Sequence, residues 1–117
     1  MRAGPPEGGE EMAKYLWQVS YTREGMEGVL KEGGSSRKTI VEKMAQNMGG
    51  SIESFYFAFG DTDVYLIGDF PSNVDVAAIA MTVSAAGAAS VKTTVLMTPE
   101  EVDQATQKVV EYRRPGE

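Results

Sequence analysis

A chain of 117 residues, 42% of them hydrophobic, is long enough for one domain with a core of its own. It has no cysteine and no histidine, which excludes disulfides, thiolate metal sites, iron–sulfur clusters, histidine-ligated haem and the commonest general base. With 11 basic and 17 acidic residues it carries a net charge of −6, which repels phosphate backbones and argues against nucleic-acid binding.

No apolar run is long enough to span a bilayer, and the N-terminus lacks the apolar centre of a signal peptide, so the expected location is cytoplasmic. Residues 1–11 are rich in Gly, Pro and Glu and poor in apolar side chains, which predicts a disordered extension. The folded unit is expected over 12–112, starting at Met12, and residues 113–117 read as a polar tail.

Lys14 to Tyr21 reads as a strand. Tyr15, Trp17, Val19 and Tyr21 share one face, and Leu16, Gln18 and Ser20 share the other. Thr22 is placed to cap a short helix over about 23–31, weakened by Gly25 and Gly28 and broken at Gly33-Gly34. Ser35 or Ser36 then caps a second helical piece, Arg37 to Met48, with Ile40, Val41, Met44, Ala45 and Met48 on one stripe. Gly49-Gly50 closes it through a left-handed cap.

The best-marked stretch follows, from Gly50 to Pro71. Aromatic residues before Gly60-Asp61-Thr62 and β-branched ones after it predict a hairpin with a tight turn at those three residues. Strict alternation puts Phe55, Phe57 and Phe59 on one side of its first strand, and Ile52, Tyr56 and Ala58 on the other. Both sides are apolar, unlike a strand with one wet face, and a second subunit over the open sheet face would account for that.

Ser72, with Asp75 three residues on, starts a helix that runs to about Ala86 and closes at Gly87. No charge falls between Asp75 and Lys92, so this helix is apolar nearly all round and calls for a second contact surface. Ser90 to Met97 is the last strand. Thr98-Pro99-Glu100-Glu101 starts a final helix presenting Val102, Ala105 and Val109. The order predicts an α+β fold: a ferredoxin-like β-α-β-β-α-β antiparallel sheet, helices on one face, and an extra C-terminal helix.

Several segments carry a resemblance to a known family. They are Tyr21-Thr22-x-x-Gly25, Arg37 in the second helical piece, Gly49-Gly50, Gly60-Asp61-Thr62-Asp63, Asp69-Phe70-Pro71, and Gly87 with Thr94. In this order and spacing they resemble the GYD-domain family, across Tyr15 to about Glu101. Thr62 departs from the pattern, standing where the family usually has tyrosine. The resemblance implies a dimeric α/β-barrel type of ferredoxin-like fold, with homodimers or larger oligomers paired through their sheets. It implies no reaction.

Candidate chemistry is sparse. Asp61 and Asp63 offer two carboxylates where a hard cation wants several converging oxygens, so turn roles are the simpler reading and no metal is expected. Gly33-Gly34-Ser35-Ser36-Arg37-Lys38 can hold an anion at a helix start, or can simply be a capped connection; it lacks Walker spacing. Tyr15, Tyr21, Tyr56, Tyr65 and Trp17 can line a pocket between helices and sheet, or form a core with bonded hydroxyls. The expected ligand-binding residues are Tyr21, Arg37, Tyr56, Asp63 and Tyr65, with no catalytic residue and no cofactor assigned. Three function classes stay open. The first is an oligomeric module binding a small apolar or weakly anionic molecule. The second is a cofactor-independent oxygenase-like enzyme, by analogy of fold. The third is a structural or regulatory assembly unit.

Overall fold

The computed structural model describes residues 12–117, so the expectation of disorder over 1–11 lies outside the described residues. The elements in chain order are β1 Ala13–Tyr21, α1 Arg23–Glu32, α2 Gly34–Asn47, β2 Ser51–Phe57, β3 Val64–Phe70, α3 Asn73–Ala86, β4 Ala89–Leu96 and α4 Pro99–Thr106. The strands pair antiparallel in the order β2-β3-β1-β4. This is the α+β architecture expected, with a ferredoxin-like strand order.

The alternation of β1 decides the layers. Tyr15 and Trp17 are buried with Val64, Leu66 and Phe70 of β3 against Ala45 of α2 and Val76 of α3. Trp17 stacks on Tyr15 at a centroid distance of 5.6 Å and meets Phe70 edge-on at 5.5 Å. Such pairs add about 0.5–1.5 kcal/mol to the burial of the rings themselves. The Tyr15 hydroxyl donates to Asn73 Oδ1 at the start of α3, so this tyrosine is core with its polar end satisfied.

Local chemistry sets the helix ends. Thr22 Oγ1 accepts from the Gly25 N–H, and Ser72 Oγ accepts from the Asp75 N–H. Thr98 and Glu101 form a reciprocal capping box, and Gly87 closes α3 in the left-handed region. At the end of α2 the Gly49 N–H donates to Gln46 and the Gly50 N–H to Ala45, the paired bonds of a Schellman motif.

Four sequence expectations are corrected. Ser35 and Ser36 lie inside α2, which starts from Gly33 with no side-chain cap, because Gly33 at φ +90° lets α1 and α2 meet at a single residue. Ile52 and Phe55 face the helices together, since an irregularity between Ile52 and Ser54 shifts the register of β2 on β3. The tight turn is instead a longer connection over 58–63, because Asp63 is bonded to β1. Its N–H donates to the Val19 carbonyl, and its carboxylate accepts from the Tyr21 N–H, both at 2.8 Å. Finally, α4 ends at Thr106 and buries none of its residues, leaving Val109 outside the helix and exposed. A capping box determines where a helix starts, not what it packs against.

Gly60 lies in this longer connection with φ +147°, and nothing stands within 4 Å of the place a Cβ would take. The cost of a side chain there is therefore conformational rather than steric. Gly60→Val should destabilise by about 1–2 kcal/mol. A denaturation midpoint unchanged by this substitution would reject the assignment.

Candidate functional site

Between the sheet and the helices α2 and α3 lies an apolar cavity of ≈ 260 Å³. The sheet contributes Trp17, Val19 and Tyr21 from β1, Ile52 and Phe55 from β2, Val64, Leu66 and Phe70 from β3, and Ala89 and Val91 from β4. Helix α2 contributes Arg37, Ile40, Val41, Met44 and Ala45, and α3 contributes Ile79, Val83 and Ala86. Large aromatic side chains on the sheet oppose small ones at Ala45 and Ala86, with Ala88 and Ala89 beside them, and that difference in size leaves the space. The alanine-rich run from Ala85 to Ala89 was the visible signal for it, although sequence alone did not say which face it opposed.

Among the described residues, Tyr21 and Arg37 are the lining residues that can ionise, and both are partly exposed, which places them where the cavity meets solvent. Tyr21 ends β1, and Arg37 sits in the first turns of α2. The Arg37 Nε donates to Glu32 Oε2 at the end of α1, 2.5 Å away. The terminal guanidinium nitrogens and the Tyr21 hydroxyl have no hydrogen-bond partner among the described residues. The bond to Arg37 holds the Glu32 carboxyl below its usual range, and the bond to Glu32 raises Arg37 further. Burial pushes the Tyr21 phenol up, Arg37 pulls it back, and Glu32 and Asp63 push it up again. The phenol therefore stays protonated and serves as a donor.

Of the five residues expected to bind a ligand, the fold brings Tyr21 and Arg37 together at the cavity. Asp63 lies close by but spends its carboxylate on the Tyr21 N–H, where it ties the start of β3 to the end of β1. Tyr56 and Tyr65 are register partners on the opposite face of the sheet. They are 72% and 42% exposed, so neither reaches the cavity. Tyr15 is core, as described. The parity of each strand makes this division: Tyr56 follows Phe55, and Tyr65 precedes Leu66, both of which face the helices.

The open face holds Leu16, Ile67 and Leu96, half-buried, beside Tyr56 and Tyr65. Lys14 also lies there, between Glu53 at 2.5 Å and Asp69 at 3.0 Å. Among the described residues, no group of three or more carboxylates stands close enough to hold a metal ion, and no helix is long and apolar enough to cross a membrane.

Residues 15–106 match the family model described as GYD domain. Comparison with curated proteins and with solved structures gave no match.

Proposed function

The chain belongs to the GYD-domain family, and from that premise we propose that it is a small oligomeric binding module, holding an apolar molecule in the cavity between sheet and helices. The observation that carries this reading is the cavity itself. A space of ≈ 260 Å³, walled mostly by apolar side chains with Tyr21 and Arg37 and the indole N–H of Trp17 as its polar groups, has the make-up of a small-molecule site. Binding is favoured over an oxygenase-like reaction because such a reaction needs a base at the substrate. Tyr21 is held protonated and Arg37 is a permanent cation, so neither can take a proton.

In the same reading, a second copy of the chain covers the open sheet face. Tyr56 and Tyr65, with Leu16, Ile67 and Leu96 around them, make an apolar patch of a kind monomers seldom leave in water. The cavities lie on the other side of each sheet and stay accessible.

Trp17 is the single tryptophan and lines the cavity, so its emission reports on occupancy without any label. Medium-chain apolar compounds should shift that emission saturably. Val83→Phe, which fills the cavity from α3, should abolish the response and leave the melting temperature unchanged or raised. A Trp17 emission indifferent to all such compounds, with nothing bound in native mass spectra of gently purified protein, would end the binding reading.

A further inference from the structure

The end of the cavity presents donors and no net positive charge. Arg37 offers its terminal N–H groups and Tyr21 its hydroxyl. The one cation among them is already matched by Glu32, bonded through Nε, and Asp63 stands near enough to act on the Tyr21 phenol. One positive group therefore lines this end, and two negative groups stand behind it, Glu32 bonded to Arg37 and Asp63 bonded to the Tyr21 N–H. A carboxylate entering here meets the same two donors, but inside an unfavourable field. A neutral acceptor oxygen meets the same donors without that penalty. Apart from the indole N–H of Trp17, the other side chains of the wall among the described residues are apolar and can satisfy no second polar group. At about 30 Å³ for each water-sized group, the volume takes roughly nine non-hydrogen atoms.

Building on the cavity-binding reading, we propose that the ligand is a neutral, medium-sized apolar molecule with a single carbonyl-type oxygen, held by the Arg37 terminal nitrogens and the Tyr21 hydroxyl. This narrows the ligand class from apolar or weakly anionic to neutral carbonyl compounds. Glu32 becomes the specificity-determining residue: it does not touch the ligand, but it cancels the charge that would otherwise recruit an acid.

Titrations of the full chain with 2-octanone and with octanoate, read by Trp17 emission, test this. The ketone should bind at least about tenfold more tightly than the acid. Arg37→Met should weaken the ketone by about tenfold, the scale of one charge-assisted hydrogen bond. Glu32→Gln should leave ketone binding near its original value and strengthen octanoate, closing the gap between them. Stronger binding of octanoate by the unmodified protein would overturn the head-group assignment while leaving the cavity reading intact. An unchanged preference in Glu32→Gln would overturn the role given to Glu32. A Trp17 emission unmoved by either compound would remove the cavity reading and this inference together. Val83→Phe, which should silence both titrations, fixes the responses to the cavity.

Discussion

Gly25→Ala should destabilise the domain by about 1–3 kcal/mol, although alanine is the better helix former. A Cβ on Gly25 would stand 1.9 Å from the Ala88 carbonyl oxygen and 2.9 Å from its carbon. Neither atom is the free end of a flexible side chain. That carbonyl accepts from the Thr22 N–H at 2.9 Å and lies 3.2 Å from Thr22 Oγ1, so it joins the start of α1 to the start of β4. Relieving the overlap must move one backbone against the other. Overpacking of this kind costs about 1–3 kcal/mol, and a weakened hydrogen bond adds about 1 kcal/mol. The gain in helix propensity returns about 1 kcal/mol. In a domain of this size the net loss should lower the melting temperature by roughly 5–15 °C. Gly28 in the same helix is the control: nothing lies within 4 Å of its Cβ position. Gly28→Ala should stabilise by up to about 1 kcal/mol. Equal melting temperatures for the two variants would show that α1 does not press on Ala88.

On the proposed pairing of open sheet faces, Tyr56→Glu should leave a monomer near 12.6 kDa where the unmodified protein sediments as a dimer, as measured by analytical ultracentrifugation at low micromolar concentration. Tyr56 is exposed on the open sheet face opposite Tyr65, where an added carboxylate would be buried in any sheet-to-sheet contact. A two-fold axis makes each substitution act twice, with two new charges in one interface. Burying both in a specific contact of ~1,600 Å² carries a desolvation penalty with no opposite charge introduced to offset it. Phe57→Glu separates assembly from folding. The Phe57 ring packs against Gly34 and Phe55 on the helix side, so its replacement should lower stability while leaving the dimer in place. Unmodified protein that sediments as a single folded species near 12.6 kDa would sink the sheet-paired assembly.

The two experiments address different consequences of one strand pattern. In β1 the alternation of Tyr15, Trp17, Val19 and Tyr21 against Leu16, Gln18 and Ser20 separates a helix-covered face from an open one. The first face makes the core and the cavity, and the second makes the proposed interface. Tyr21 lies where the two experiments meet. Its backbone N–H is held by Asp63, its ring lies near the Cβ position of Gly25, and its side chain lines the cavity. The short segment Tyr21-Thr22-x-x-Gly25 thus has a physical rationale: it ends a strand, caps a helix and lets that helix approach Ala88.

What the sequence determined by itself was local. Thr22, Ser72 and Thr98 marked helix starts because a side-chain oxygen three residues before a free N–H needs no tertiary partner to act as a cap. Gly49-Gly50 and Gly87 marked helix ends for the same reason, and the alternation in β1 assigned its two faces. From these came the element order, and with it the expectation of an α+β fold on the ferredoxin-like plan. Tertiary structure decided what depends on distant partners. The irregularity at Ile52–Ser54 exists only against β3, so it was strand pairing that turned Ile52 inward beside Phe55. Asp63 reads as a turn residue until β1 arrives to donate the Tyr21 N–H to it. Tyr21, Arg37, Tyr56 and Tyr65 are equally plausible ligand residues by type alone, and only the two faces of the sheet divide them. The pairing of Arg37 with Glu32, across the single-residue joint at Gly33, gave the cation that lines the cavity a carboxylate partner.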